Sequence, residues 1–332
     1  MSSQHWSDHA FHAIHKGKHW EVCEQQPPIS PVAPGVQYGQ SVIEGMKAYR
    51  RADDTINVFR FDAHHARLAK SLTQLHLPAI DEALFQHAIE SVIAPASQWE
   101  QPSPSDILYI RPIVYGLGGK IFPAADELNG FSVYVAAIGS HLKEECHLRL
   151  FEDVTRTSLY GLSSAKSASS YAPIIARKTA KAGFTDIWYD PTTGVIEEAD
   201  TSNVFFITDE GNVITPEPDH RILHGITRAS VIAIFQEELG MEVVERKITV
   251  EEVIKEVRSG KIKECFLTST GIGIQPCHSI SLDDATVSFG SNELTLKVRH
   301  TFMEIIQGNN QNFTQWNHLI PCQQWKKQDI LN

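Results

Sequence analysis

The sequence is poor in cysteine, has no long apolar run and carries more acid than base, and each shortage excludes a class of protein. Cys23, Cys146, Cys265, Cys277 and Cys322 are odd in number and show no C-x-x-C spacing, which argues against a disulfide framework and a zinc ribbon and for reduced thiols. The longest apolar stretch, Phe131 to Ile138, falls far short of the roughly 20 residues that span a bilayer, so no membrane partner is expected. Met1 to Asp8 contains no basic region leading into an apolar one, so no signal peptide is read there and the expected location is cytoplasmic. Lys plus Arg number 29 against 40 Asp plus Glu, a net charge of −11, the wrong sign for neutralising a phosphate backbone. No nucleic-acid partner is expected. What is present, 42% hydrophobic and 21% charged residues, is the composition of a globular chain. At about 150 residues per domain, 332 residues make two.

The pattern along the chain is α+β (mixed α/β). Val42 to Tyr49 and Ile56 to Arg60 read as strands joined by a turn at Arg51 to Asp54. Helical spacing of Ala66, Leu68, Leu72 and Leu75 predicts a helix over 63–75, with another over 82–93 and strands at 107–114 and 131–138. The polar stretch Ser140 to His147 marks a boundary. The expected division is a small N-terminal α/β domain over 1–139, an interdomain loop over 140–148 and a larger C-terminal domain over 149–332. In the second part an Ala-rich helix is expected over 172–182, then strands at 186–189, 203–208 and 213–215. A helix follows Gly225 to about Leu239, then a strand over 241–246. A second helix is opened by the Thr249/Glu252 capping pattern and ended near Gly260, before a strand over 263–268.

Several constellations invite a chemical reading. His5, His9, His12, His15 and His19 would share one side of a helix, but no acid or cysteine joins them at ligand spacing, and no metal site is expected. Gly116-Leu117-Gly118-Gly119-Lys120 is too short for a phosphate loop and has Ile121 where Ser or Thr would hold magnesium. Gly225-Ile226-Thr227-Arg228 opens a helix whose free N–H groups suit a phosphate. Thr268-Ser269-Thr270-Gly271 follows a strand and offers hydroxyls and close backbone approach to an anion, while Arg67 supplies positive charge. Lys166 stands in a run of small residues, Ser163 to Tyr171, that leaves room for a flat ligand. Taken alone it reads as a surface lysine, and Glu198, within Ile196 to Asn203, as a solvated acidic turn.

In this order the segments resemble the branched-chain aminotransferases, within the fold-type IV family of pyridoxal-phosphate enzymes. The resemblance runs through Tyr38 to Tyr49, His64 to Leu68, Tyr109 to Pro112, Lys166 to Tyr171, Glu198 to Asn203, Leu223 to Arg228 and Thr268 to Gly271, and spans roughly residues 35 to 320. It implies a two-domain architecture with pyridoxal 5'-phosphate at the domain interface and a homodimer, with further assembly open. It also implies an activity: the amino group of L-leucine, L-isoleucine or L-valine is moved to 2-oxoglutarate, so the partners are small amino acids and 2-oxo acids.

By the same resemblance Lys166 forms the Schiff base and shuttles the proton, Glu198 pairs with the pyridine nitrogen, and Tyr171 bonds the phenolic oxygen. Arg67, Ile226, Thr227 and Thr270 hold the phosphate. Tyr38, Ile43, Gly45 and Tyr109 line the side-chain pocket, Gly271 and Ile272 take the α-carboxylate, and Arg111 admits the distal carboxylate of glutamate. The chain departs from the family pattern at Ser167-Ala168-Ser169-Ser170, where Gly-Gly-Asn is usual, at Ile43, where an aromatic is usual, and in a shorter segment around 140–147. These departures bear on substrate. Another fold-type IV activity (a D-amino-acid or (R)-amine transaminase or an aminodeoxychorismate lyase) and a catalytically silent relative remain open alternatives.

Overall fold

The computed structural model describes residues 6–7, 9–96, 107–119, 121–122, 127–138, 145–151, 162–172, 174, 184–282 and 285–321. In chain order the strands are β1 (Ala10–Lys16), β2 (Trp20–Cys23), β3 (Ser41–Ile43), β4 (Met46–Arg50), β5 (Thr55–Phe59), β6 (Ile107–Gly116), β7 (Leu128–Ile138), β8 (His147–Phe151) and β9 (Phe184–Tyr189). They continue as β10 (Ile196–Ala199), β11 (Asn203–Thr208), β12 (Val213–Thr215), β13 (Val243–Glu245), β14 (Ile262–Ser269), β15 (Gly273–Cys277), β16 (Ser279–Leu282), β17 (Ala285–Ser288) and β18 (Asn317–Pro321). The helices are α1 (Pro34–Gln37), α2 (Phe61–Gln74), α3 (Glu82–Ala96), α4 (Ile226–Ala233), α5 (Val250–Arg258) and α6 (Glu293–Gln307). Among the described residues no helix is long and apolar enough to cross a membrane.

The chain forms two compact units. One holds Met1–Ser140, Ala165–Ser169 and Glu304–Asn332, the other His141–Ser164 and Ser170–Met303. This corrects the division into consecutive stretches over 1–139 and 149–332. The chain's last strand belongs with its first ones because β18 pairs antiparallel with β5, from Asn317↔Phe59 to Pro321↔Thr55. A short segment around Lys166 also belongs to the first unit, where it hydrogen-bonds β3 and α2.

The first unit is an eight-stranded sheet in the order β18-β5-β4-β6-β7-β1-β2, with β3 also paired to β6. Alternation along the strands sends every second side chain to one face. Ile110 and Val114 of β6 and Phe131, Val133 and Val135 of β7 meet Leu68 and Leu72 of α2 and Phe85, Ile89 and Val92 of α3 in one buried core. Tyr109, Arg111 and Tyr115 are therefore carried to the opposite face, where Arg111 stands across from Tyr134. His12 and His15 lie on a strand, not on a helix: pairing of β1 with β7 dictates a two-residue period, and His12 is buried beside Ser132, while His5 lies outside the described residues.

The second unit contains two five-stranded sheets, β10-β9-β8-β16-β17 and β13-β12-β11-β14-β15. Its core takes Leu148, Ile187 and Ile280 from the first sheet, Val204, Phe206 and Leu267 from the second, and Val253 and Val257 from α5. The helix expected to run to Leu239 ends at Ala233 and continues as a π-helical turn over Ile234–Glu238. Most of the helix expected over 172–182, and Cys322, lie outside the described residues.

Two properties of this fold are measurable. The Thr249 hydroxyl accepts the Glu252 N–H at 3.2 Å and caps α5, so Thr249→Ala will cost about 1 kcal/mol in urea unfolding. On β4, burial pushes the Lys47 ammonium down to about 8. Between pH 8 and the ordinary lysine value the unfolded chain binds a proton that the folded chain does not, so stability rises with pH across that window, by about 3 kcal/mol at most. Unfolding of Lys47→Met alongside the parent chain at several pH values will show that increment missing.

Candidate active site

Each unit carries one constellation. In the first, α2 places His64, Arg67 and Ser71 three and four residues apart, hence on one helix face. Ser71 Oγ accepts the backbone N–H of Lys166 at 3.1 Å, and the Lys166 carbonyl accepts the Ile43 N–H at 2.9 Å. A bridge between Val42 and Ser167 continues this pairing. Lys166 is thus fixed at its backbone by a helix and a strand while its side chain remains half-buried, an unlike situation from a solvent-facing lysine. Beyond it, Ala168–Tyr171 forms a 3-10 turn, with Ser167 Oγ and Ser169 Oγ 2.8 Å apart, that ends on Tyr171.

The same unit holds the residues expected to line a side-chain pocket. Gly45 lies between β3 and β4, and a Cβ there would overlap the Tyr109 hydroxyl and sit 3.1 Å from Tyr109 Cζ, so only glycine admits this ring. Arg111 donates to the Tyr109 hydroxyl and its guanidinium carbon lies 5.1 Å from the ring centroid. Arg111 Nε is buried with no hydrogen-bond partner. Trp6 packs beside Tyr109, the ring centroids being 6.4 Å apart. Tyr38 follows α1 and donates its hydroxyl to the Ile121 carbonyl. Arg67 does not stand alone: its Nε donates to Glu44 Oε2 at 2.9 Å and its Nη2 to Glu44 Oε1.

In the second unit Glu198 lies at 3% exposure on β10, all four of whose residues are buried, so the acidic turn is not solvated. Its Oε2 accepts Asn203 Nδ2 at 3.2 Å and its Oε1 the Leu223 N–H at 3.3 Å. Asn203 Nδ2 also donates to the Leu223 carbonyl at 3.0 Å, which ties the strand to the loop that opens α4. Gly225 begins that helix without any side-chain cap, and Ile226 and Thr227 occupy its first two positions, both buried. In contrast α5 is capped by Thr249 and α6 by the buried Glu264, which accepts the Leu294 and Thr295 N–H groups at 3.0 and 2.8 Å. Residues 270–272 turn between β14 and β15, closed by the Ser269↔Gly273 pair with Gly273 at φ +70°. Next to this turn Thr268 Oγ1 is buried, at 1% exposure of the residue, with no hydrogen-bond partner. Across from it in register is Asn203.

Pyridoxal phosphate fits this donor set. Within the second unit an uncapped helix start and the hydroxyl turn at Thr270 have the chemistry for a phosphate and the buried Glu198 that for a ring nitrogen, and within the first unit the backbone-anchored Lys166 has that for an aldehyde. The family model for amino-transferase class IV matches residues 41–280. The chain belongs to the class IV amino-transferases. It is 31% identical over 304 residues to a probable branched-chain-amino-acid aminotransferase of Staphylococcus aureus, covering 88% of this chain and 84% of the relative. A branched-chain-amino-acid aminotransferase of Bacillus subtilis is 32% identical, covering 87% and 82%. Among solved structures, the branched-chain aminotransferase of Thermoproteus uzoniensis with norvaline superposes with a TM-score of 0.75 at 26% identity, covering 93% of this chain and 99% of that one. The mixed α+β fold expected from the resemblance is that of these aminotransferases.

Three polar residues to which the sequence reading gave no role emerge as partners of the expected ones: Glu44 beside Arg67, Asn203 beside Glu198, and Arg228, whose charge acts on Glu198 while its Nη2 donates to the Pro216 carbonyl at 2.9 Å and pairs with Glu245. A signal for the first existed in the i, i+3 spacing of His64 and Arg67 on a predicted helix, which calls for a facing acid. The glycine contacts yield a contrast. A Cβ at Gly225 would overlap Asn203 Oδ1 and lie 3.1 Å from Arg228 Cβ, so Gly225→Ala will lose about 1–3 kcal/mol of stability. Gly271→Ala, whose nearest neighbour would be Ser269 Oγ at 3.7 Å, will change stability by less than about 0.5 kcal/mol, as thermal melts of the pair will show.

Proposed function

We propose that this aminotransferase moves the amino group of L-leucine, L-isoleucine or L-valine to 2-oxoglutarate. The observation that carries the substrate reading is the Tyr109–Arg111 pair. An aromatic wall with a single guanidinium set against it suits a site that must accept a branched apolar side chain in one half-reaction and the γ-carboxylate of glutamate in the other. The relatives' names point to the same substrates.

When bound, pyridoxal phosphate supplies the aldehyde carbon to which the amino group is joined and a ring that accepts electrons from it. Lys166 Nζ would hold the cofactor, and its amine would carry the proton between the substrate α-carbon and the cofactor carbon that receives the amino group. Glu198, kept dry and oriented by two N–H donors, holds a proton at the ring nitrogen. Tyr171 donates its hydroxyl to the phenolic oxygen. The amides of Ile226 and Thr227, the Thr270 hydroxyl and Arg67 receive the phosphate. Tyr38, Ile43, Gly45 and Tyr109 enclose the substrate side chain, Arg111 meets a distal carboxylate, and the Gly271 and Ile272 N–H groups take the α-carboxylate. The working form is a homodimer, and the assignment is to the cytoplasm.

Absorption spectroscopy tests the reading. L-Leucine will bleach the visible band of the bound cofactor and 2-oxoglutarate will restore it; a band that answers only to D-alanine or a chiral amine assigns the chain to another activity of this fold. Lys166→Ala will retain cofactor without a covalent bond and will not transaminate. In Glu198→Gln turnover will fall on the order of a hundredfold or more, with cofactor still bound.

A further inference from the structure

Among the described residues of the first unit Glu44 is the most completely buried charge, at 0% exposure, and the proposed chemistry makes no use of it. Its carboxylate collects four N–H donors. Arg67 Nε donates to Oε2 at 2.9 Å, and Arg67 Nη2 to Oε1. His64 Nδ1 lies 3.2 Å from Oε1, and the N–H of Gly45 donates to the same oxygen at 2.8 Å. Burial alone would favour the protonated acid, but Arg67 and His64 outweigh it and hold the carboxyl well below the usual range. His64 itself is pushed down by burial, so it serves as a neutral donor. Glu44 is therefore favoured as the anion.

A buried ion pair contributes little net stability, because the desolvation of both charges offsets their attraction; what it supplies is direction. Two parallel bonds fix the plane of a guanidinium where one bond leaves it free to turn. Glu44 binds the Nε/Nη2 edge of Arg67, which gives the remaining N–H donors a single heading. The backbone of Glu44 is held in turn, its N–H donating to the Pro112 carbonyl at 2.8 Å, and its neighbour Ile43 bonds the Lys166 carbonyl. One carboxylate therefore links the guanidinium assigned to the phosphate, the backbone of the lysine and the glycine beneath Tyr109.

We propose that Glu44 is a positioning residue for the cofactor phosphate, acting through Arg67, whose guanidinium it orients. The proposal rests on the assignment of Arg67 to the phosphate. A merely structural ion pair would affect all cofactor binding alike, whereas an orienting one affects only the phosphorylated form. The experiment is equilibrium binding of pyridoxal phosphate and of pyridoxal, which lacks the phosphate, to the cofactor-stripped full chain and to Glu44→Gln, Glu44→Asp and Arg67→Ala.

In both Glu44 variants affinity for pyridoxal phosphate will fall at least about tenfold while affinity for pyridoxal changes less than about twofold; aspartate keeps the charge but shortens the reach, and it decides the matter if the glutamine protein does not fold. Equal losses for both ligands, an unchanged ratio or tighter phosphate binding overturns the proposal. So does failure of both Glu44 variants to fold while Arg67→Ala folds, since Glu44 is then a stability element. If Arg67→Ala itself leaves the ratio of the two affinities unchanged, the assignment of Arg67 to the phosphate is what fails.

Discussion

A carboxylate withdrawn from water must be met by N–H donors, and much of this molecule is arranged around four that are. Glu44 gathers Arg67, His64 and Gly45; Asp186 is gripped by Arg149, whose Nε and Nη2 both lie 2.9 Å from it; Glu198 takes Asn203 and Leu223; Glu264 takes the start of α6. Each joins segments far apart in the sequence. Because an unmet buried charge costs several kcal/mol, these junctions define how strand ends and helix starts meet more strictly than apolar packing, which tolerates sliding.

The junctions differ in what they leave open. Glu264 satisfies the N-terminus of α6 completely enough that nothing further is needed there, with the Thr295 hydroxyl at 2.8 Å as well. Glu198 accepts the neutral donors Asn203 and Leu223, and the helix it helps to anchor through Leu223 starts on an uncapped glycine. The uncapped α4 and the partnerless Thr268 hydroxyl lie in the same unit and share Asn203 as a neighbour, one through Gly225 and one through strand register. Polar capacity left unspent in a buried place is what a polar ligand can satisfy.

Legibility from sequence was uneven for reasons that lie in range. Helix α5 could be read because its cap, Thr249 to Glu252, is a contact between residues three apart. Strands β11 and β12 and their turn could be read for the same reason. The strand β1 could not be read because histidines at spacings of three and four suit a helix locally, while the partner that makes the segment a strand, β7, lies more than a hundred residues away. Glu198 read as solvated from its acidic neighbours, yet burial on β10 is set by β9, not by composition.

The sequence by itself carried the resemblance to the family through the ordered series from Tyr38 to Gly271, in which the helix start and the hydroxyl turn are local features that residue type and spacing specify, while the lysine and the acid taken alone read as surface groups. It also determined that β6 would alternate, and so that Tyr109 and Arg111 share a face. Only the tertiary structure decided which groups stand behind these residues: that Arg67 is held by Glu44, that the Leu223 N–H binds Glu198, that β18 returns to β5 and that Lys166 is fixed between α2 and β3. These are pairings across long stretches of chain, chosen by the demand that buried charges and backbone groups find partners, and no short window of sequence contains both partners.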